Sequence, residues 1–447
     1  MRNFINTIKN IWKIEDLRYR ILFTLGIILI YRLGKDITLP GIDPSQLENL
    51  QKQTATGVMG ILDMFSGGAF SQASIFALGI MPYISASIVV QLLGIAIPYF
   101  QRLQKEGESG RRKINQFTRY LTVIVMALQS PGYIANLHAQ LPESAFILKG
   151  AYFTISSMIL LTAGTIFIMW LGERITDKGV GNGISMLIMI GIIARLPFAL
   201  FSEFGTRLEG GQAGGLIAFI VEIVILFVVF MFTILLVQGT RRIPVQYAKR
   251  IVGNKQYGGV RQYIPLKVNA AGVMPIIFAQ ALMFIPVTIA GFANSDRLTP
   301  LASAFSNWTG LWYNLVFAIL IILFTYFYTA ITINPTQMAE DMKKNGGFIP
   351  GVKPGRKTVE FIDNIMSRIT LPGSMFLALV AILPAFATIA GVSSQMAHFY
   401  GGTSLLILVG VVLDTLQQIE SHLLMRHYDG LMKSGRIKGR SGAAGSI

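Results

Sequence analysis

Ten mostly apolar stretches recur along the 447-residue chain, and they constrain its fold more than any other feature. A helix needs about 20 apolar residues to cross the roughly 30 Å hydrocarbon core of a bilayer. Only 13% of the residues are charged, about half of the roughly 25% usual in soluble domains. We therefore predict an all-α polytopic membrane protein. Its ten transmembrane helices are expected at residues 19–34, 74–98, 117–137, 150–171, 183–202, 215–238, 270–292, 311–334, 371–391 and 402–420.

The basic residues test this count independently, because Lys and Arg concentrate in the cytoplasmic loops of membrane proteins. With the N-terminus inside, 31 of the 38 Lys and Arg residues fall in or beside cytoplasmic segments, and seven in or beside external ones. We therefore predict that both termini are cytoplasmic. Residues 1–18 then form an amphipathic N-terminal segment, and residues 421–447 form a cytoplasmic tail.

The ten spans divide into two sets of five. Residues 19–202 would form an N-terminal half and residues 215–420 a C-terminal half, joined by a Gly-rich, polar hinge loop at 203–214. Two five-helix halves joined in this way enter the membrane from opposite sides, which is the arrangement of an inverted repeat.

Several kinds of chemistry have no candidate residues. The chain has no cysteine and four scattered histidines, so we predict neither a metal site nor any other cofactor, and no enzymatic activity. An intramembrane hydrolase would lack a nucleophile and a base. An inverted-repeat secondary transporter is the alternative, and it would place polar or charged residues at mid-membrane depth. Glu222 and Asp414 lie nearer the ends of their spans and are interpreted as helix-contact or interfacial residues.

Two features differ from plain spans. Residues 57–73 combine a short apolar stretch with Asp63 and the pair Gly67-Gly68, and they are too interrupted to cross a bilayer. They fit either an interfacial helix or a re-entrant element that blocks a cavity. Gln91 lies inside the second span, where a polar side chain ordinarily joins helices to one another.

Two long cytoplasmic loops, residues 239–268 and 335–370, are rich in basic residues. The first has a composition typical of a protruding β-hairpin with Gly258-Gly259 near its tip. Basic loops fix topology, but two long ones also fit docking of RNA phosphates or of an acidic protein surface.

Six sequence strings resemble the SecY family, the central subunits of the bacterial protein-conducting channel. They are FALGIMPYISASIVVQLL, KEGESGRRKINQFTRY, MWLGERITDKGVGNGIS, PLKVNAAGVMPIIFA, FIPGVKPGRKT and FYGGTSLLILVGVVLDT. The resemblance covers nearly the whole chain in the expected order. It implies a clamshell of two inverted five-helix halves around an hourglass pore. The implied activity is passive conduction of unfolded polypeptides, with release of apolar helices into lipid through a lateral gate.

The resemblance also implies roles for particular residues. A ring of apolar side chains would form the pore constriction: Ile80, Ile84, Ile184, Ile188, Ile277 and Ile407. A plug, residues 57–70, would seat against that ring, and its core is Gly60, Ile61, Leu62, Asp63, Met64, Phe65, Ser66, Gly67 and Gly68. Gln91 would lie in the lateral gate, between the second and third spans and the seventh and eighth. Partner docking would fall to Arg241, Arg242, Lys249, Arg250, Lys353, Arg356 and Lys357.

The implied partners are SecE-like and SecG-like small membrane subunits, the SecA motor ATPase, the ribosome, signal peptides and nascent chains, and the lipid bilayer. The implied location is the bacterial plasma membrane. In one departure from the family pattern, this chain has Lys353 where the family commonly has arginine. Lysine keeps the charge but lacks the bidentate fork of arginine.

Overall fold

A computed structural model of the chain describes residues 12, 14–47, 50, 58–148, 150–209, 215–247, 250–252, 255–257, 261–280, 282–283 and 307–433. In the first half its helices are α1 Glu15–Lys35, α2 Val58–Phe65, α3 Met81–Ala96, α4 Pro98–Lys105, α5 Glu108–Gln140, α6 Ala151–Lys178, α7 Gly183–Ile193 and α8 Leu196–Glu209. Short 3-10 helices lie at Pro44–Gln46 and Glu143–Ala145. Most of the predicted N-terminal segment lies outside the described residues.

The second half contains both helices and strands. Its elements are α9 Gly215–Gln238, β1 Thr240–Tyr247, β2 Arg250–Val252, β3 Lys255–Tyr257, β4 Arg261–Lys267, α10 Leu311–Thr332, α11 Pro335–Lys344, β5 Gly347–Phe348, α12 Arg356–Ile389, α13 Ser394–Ala397 and α14 Gly402–Lys433. Residues 274–280 and 282–283 are also helical.

Six helical stretches of the described part are long and apolar enough to cross a membrane: Ala151–Lys178, Gly183–Leu208, Gly215–Gln238, Leu311–Lys344, Arg356–Ile389 and Gly402–Leu423. The second of these combines α7 and α8, and the fourth combines α10 and α11. A seventh is counted if α3 and α4, which meet at a bend of 102°, form one span. The spans predicted at 19–34 and 117–137 are helical, within α1 and α5, but are not among these six. The span predicted at 270–292 is described only in part. The prediction of a polytopic helical membrane protein is confirmed. Of the ten predicted spans, six or seven are identified among the described residues.

Helix α9 has the burial pattern of a membrane helix. Its buried residues include Glu222 and Thr233, whereas Ile217 is 74% exposed and Leu235 is 63% exposed. A soluble protein would place these residue types the other way round. The exposed apolar face of α9 is thus suited to lipid or to another membrane helix.

Among the predicted boundaries that the structure moves are those of the hinge loop and of the cytoplasmic tail. Residues 203–209 of the predicted hinge loop are helical and end α8, where Glu203 and Arg207 form an ion pair one turn apart that favours the helix. The predicted cytoplasmic tail also begins as helix, because α14 extends to Lys433. Its remaining residues, and residues 210–214 of the hinge, lie outside the described part.

The two basic loops share one small sheet. Strands β1 and β4 pair antiparallel, with Ile243 opposite Ile264, as the predicted hairpin requires. Strand β5, from the other loop, pairs with the opposite edge of β1. Ile243, Val245 and Leu266 bury their side chains against α11 and α12. The predicted hairpin tip, Gly258-Gly259, lies outside the described residues.

Candidate functional site

All six isoleucines predicted to form the pore ring lie in or against the largest apolar cluster of the described residues. Ile80, Ile188 and Ile407 are buried within it, and Ile84, Ile184 and Ile277 pack against it half-buried. These residues come from four places in the chain: α3 with the residue before it, α7, the helical residues 274–280, and α14. The fold therefore brings together residues that the sequence places more than 300 positions apart.

The predicted plug begins as the short helix α2 and continues through a series of turns. Met64 and Phe65, at its end, are buried in the same cluster as the six isoleucines. Asp63, Ser66, Gly67 and Gly68 are buried beside them, as is Gly60. The side chains of Ile61 and Leu62 lie outside the described part. The plug segment is thus packed directly against the apolar centre of the molecule.

Polar contacts hold the plug segment in place. The buried carboxylate of Asp63 pairs with the guanidinium of Arg195 and accepts a hydrogen bond from the backbone N–H of Ser71 (2.8 Å). From α1, the Tyr31 hydroxyl donates to the carbonyl of Ser66 (3.3 Å). Hydrogen bonds to charged groups contribute more than neutral ones, so the Asp63–Arg195 pair is the strongest of these polar contacts.

A close backbone approach lies beside that ion pair. A Cβ added to Gly67 would lie 2.9 Å from the Cα of Gly191 on α7, and a Cβ added to Gly191 would lie 3.1 Å from the Cα of Gly67. Gly67 also has a φ of +65°, which L-residues with side chains rarely adopt. The seat of the plug segment therefore requires glycine on both of its sides.

Gln91 lies where the second span meets the seventh and eighth. Its Oε1 accepts a long hydrogen bond from the Tyr328 hydroxyl on α10 (3.4 Å), and its Nε2 donates to Ser87 Oγ (3.4 Å). The surrounding cluster, which we call the seam, contains Ile88, Tyr328 and Phe278 at its centre. The rings of Phe278 and Tyr328 meet edge to face with their centroids 4.9 Å apart. At 3.4 Å both hydrogen bonds are weak, so apolar packing dominates this contact.

Two of the predicted docking residues lie on the sheet that joins the two basic loops, and a third lies in the turn before α12. Arg241 and Arg242 are exposed on β1, whose Ile243 and Val245 are buried. Lys353 is exposed too, and its carbonyl accepts a hydrogen bond from Thr358 Oγ1 (3.0 Å), which fixes the turn before α12.

The remaining docking residues differ in how much of them is described. Arg356 and Lys357 share the carboxylate of Glu360, at 3.5 Å and 3.0 Å, so part of their charge is neutralised. Lys249 and the side chain of Arg250 lie outside the described part. We call strands β1, β4 and β5 with α11 the basic platform.

A second feature is a charged network centred on Arg207. Its guanidinium contacts Glu203 (3.1 Å), Glu222 on α9 (2.5 Å) and the carbonyl of Gly391 (2.7 Å). Glu203 also accepts the backbone N–H of Ser393 (3.0 Å). The network connects α8 of the first half with α9 and the segment after α12 of the second. Glu222 therefore acts as a helix-contact residue, as the sequence indicates.

Sequence reasoning did not identify Arg195, Gly191 or Tyr328. Each acts through a partner more than 100 residues away, so no local pattern marks them. The one available signal was Arg195 itself, a basic residue close to the external end of a predicted span. Among the described residues, no group of His, Asp and Glu side chains could hold a metal ion.

These features define a polytopic helical membrane protein with an apolar centre and a short segment seated against it. The family model described as SecY matches residues 74–416, well over half of the chain. The chain is 45% identical over 433 residues to the protein translocase subunit SecY of Streptomyces scabiei, covering 94% of this chain and 98% of that protein. The chain belongs to the SecY family, and is therefore a channel subunit and not an enzyme.

Solved structures show the same fold. One, described as a SecY protein whose plug domain stabilises the closed state of the translocation channel, has a TM-score of 0.59 at 16% identity, over 90% of this chain and 92% of that one. A yeast Ssh1 complex, bound idle to the 80S ribosome, has a TM-score of 0.57 at 12% identity, over 96% of this chain and 94% of that one.

Proposed function

We propose that this chain is a passive channel for unfolded secretory polypeptides in the bacterial plasma membrane. The observation that carries the proposal is the gathering of six isoleucines in one apolar cluster, with Met64 and Phe65 of the plug segment seated against them. A narrow ring of branched apolar side chains resists ions by dewetting, yet offers no strong binding site. A chain of arbitrary sequence can therefore slide through it.

In this proposal ten helices form two inverted halves, residues 19–202 and 215–420, around an hourglass pore, with both termini cytoplasmic. The seam around Gln91 is the lateral gate, through which signal peptides and transmembrane helices leave for lipid because their transfer is favourable. Gln91 supports this role, since a half-buried amide with only long hydrogen bonds weakens the closed seam compared with an apolar side chain.

Energy for transport would come from partners. The sequence contains no phosphate-binding loop, so we assign the driving force to a SecA-type motor or to a translating ribosome. The exposed charges of the basic platform support docking of both, and one structural relative is bound to a ribosome. SecE-like and SecG-like small subunits would complete the membrane complex, for which the exposed face of α9 provides apolar surface.

Site-specific photocrosslinking tests the proposal. A photoreactive residue replaces Ile84 or Ile188, and a secretory protein is arrested halfway across the membrane. Both probes should crosslink to the arrested chain, whereas a probe at Ile159, 63% exposed on the outside of α6, should not. A substrate without its signal sequence should give no crosslinks.

Failure of both central probes, with arrest verified independently, would show that the isoleucines are packing only. It would favour the alternative of an inverted-repeat secondary transporter. That alternative requires polar or charged groups at the centre of the membrane, where our proposal has isoleucine.

A further inference from the structure

A cavity of about 230 Å³ lies beside the plug segment. Three cationic side chains from two parts of the chain line it: Arg32 and Lys35 at the end of α1, and Arg195 between α7 and α8. The cavity thus places three cations at the predicted external side of the molecule.

Two of the cationic groups converge on one point. A Cβ added to Gly68 would lie 3.1 Å from Arg195 Nη2 and 3.3 Å from Lys35 Nζ. Arg32 Nη1 lies 3.4 Å from the corresponding position on the neighbouring Gly67. The charged groups of the three cations therefore lie close together beside these two glycines, at the wall of the cavity.

The positive charge of the cavity exceeds its negative charge. Among the lining residues that the structure describes, Asp63 is the one carboxylate, and it is paired with Arg195. Lys35, whose side chain is 16% exposed, has an acidic neighbour in Asp36, but at 3.8 Å and on the solvent side. Arg32 donates to a backbone carbonyl, that of Gly67. Three cations thus face one carboxylate among the described lining residues. An excess of partly buried positive charge is costly, so an anion in the cavity would be stabilised.

A neutral hydrogen-bonding group completes the lining. Burial, and secondarily the nearby Arg195, lower the pKa of His398 to about 4, so its imidazole is neutral at pH 7. Its ring stacks on Trp308 at 4.9 Å. Among the described residues its Nε2 has no hydrogen-bond partner. A neutral imidazole with its proton on Nε2 can donate a hydrogen bond to an oxyanion.

We propose that this cavity is a binding site for a phosphate-class oxyanion, held by Arg32, Lys35 and Arg195, with His398 as a further donor. The planar guanidinium matches the geometry of phosphate oxygens and the lysine adds a point charge. The anion is either free inorganic phosphate or the phosphodiester of a phospholipid headgroup. This function is separate from polypeptide conduction, and its test measures binding directly.

The test uses the full chain, purified with its membrane partners. One arm measures binding of radiolabelled inorganic phosphate by equilibrium dialysis in phosphate-free detergent. The other measures phosphatidylglycerol retained from mixed phosphatidylcholine and phosphatidylglycerol nanodiscs by native mass spectrometry. Lys35→Gln should weaken binding about tenfold, since it removes one charge-assisted contact. Arg112→Gln, at an exposed cation far from the cavity, should leave binding unchanged.

Phosphate binding that is weakened by Lys35→Gln would identify the free anion as the ligand. Phosphatidylglycerol retention with the same sensitivity, without phosphate binding, would identify the lipid headgroup. No binding in either arm, or binding equally affected by Lys35→Gln and Arg112→Gln, would overturn the proposal. If the Lys35 variant does not fold, Arg32→Gln is used in its place with the same expected loss.

Discussion

The carboxylate of Asp63 and the guanidinium of Arg195 form an ion pair across 132 positions of the chain. The Asp63 side chain is 2% exposed and that of Arg195 is 31% exposed. A buried charge that loses its partner costs several kcal/mol. The pair therefore links the position of the plug segment to the segment between α7 and α8.

Replacing Asp63 with Asn should favour the unseated plug segment, because the amide keeps the shape but loses the charge. We expect the free-energy difference that favours the seated form to fall by about 2 kcal/mol, after allowing for the exposure of Arg195. This raises the population of the unseated form roughly 30-fold. The chain has no cysteine, so a single Ser66→Cys substitution reports the change as faster maleimide labelling. The exchanged pair Asp63→Arg with Arg195→Asp should slow labelling again. Equal labelling with and without Asp63→Asn would contradict this role.

Replacing Gly191 with Ala should also displace the plug segment, for a steric reason. The new methyl group would lie 3.1 Å from the Cα of Gly67, and a backbone cannot rotate away as a side chain can. Overpacking of this kind costs about 1–3 kcal/mol. The same labelling assay measures it, with Gly132→Ala as control, since a Cβ there meets nothing within 4 Å. If the two alanine variants label alike, the close approach does not hold the plug segment.

Replacing Ile84, Ile188 and Ile277 together with Ser should make the membrane leak ions. Smaller polar side chains allow water to wet a constriction that branched apolar chains keep dry. Conductance of the purified complex in planar bilayers measures the leak. The matched control replaces Ile159, Ile220 and Ile319, which are all more than half exposed, with Ser. Unchanged conductance in the central variant would reduce these isoleucines to packing.

Replacing Gln91 with Leu should tighten the seam, because an apolar side chain removes a poorly hydrogen-bonded amide from it. Export should fall about five- to tenfold for a weakly hydrophobic signal sequence and less than twofold for a strongly hydrophobic one. Export rates of two reporters that differ only in the signal measure this. Tyr328→Phe should act in the opposite direction, since it removes a hydrogen bond to Gln91 and leaves the amide in the seam with one partner fewer. Equal losses for both signals would argue against a gate.

Replacing Arg241 and Arg242 with Glu should weaken docking of the motor and of the ribosome at least tenfold at low salt. The difference in affinity between the variant and the original chain should become smaller as the salt concentration rises, because the contact is electrostatic. Both side chains are exposed, so the melting temperature should not change. Arg112→Glu, also exposed, serves as control for charge alone. Unaltered affinities would leave these arginines as topology signals.

Hydropathy predicts where the apolar helices lie but not where they end. Helix α12 begins at Arg356, 15 residues before its predicted span, because a helix continues beyond the bilayer wherever its backbone hydrogen bonds can form. Likewise α8 extends through Glu203 and Arg207, although the Gly-rich, polar composition of residues 203–214 predicts a loop there. The bend between α3 and α4 lies at Ile97, just before Pro98, which cannot donate a backbone hydrogen bond to a continuing helix.

The candidate site was predictable only where the family motifs carry it. The family motifs assign the six isoleucines and Gln91 to the candidate site. The spacing of these residues alone would indicate ordinary helix packing. The counterparts Arg195, Gly191 and Tyr328 were not predictable, since ion pairs, close backbone approaches and side-chain hydrogen bonds between distant segments leave no local periodicity. The two-residue strand β5 was missed because a strand that short has no pattern of its own.

Strand β5 also has a mechanical consequence. Because it completes a sheet with β1 and β4, the loop after α9 and the loop after α10 are held as one body rather than as two independent arms. A force that a partner exerts on either loop is then transmitted through the sheet to the helices that lead into both loops, including the two helices that border the seam. A partner that binds this sheet therefore contacts a body that is continuous with helices at the seam, without touching the seam itself.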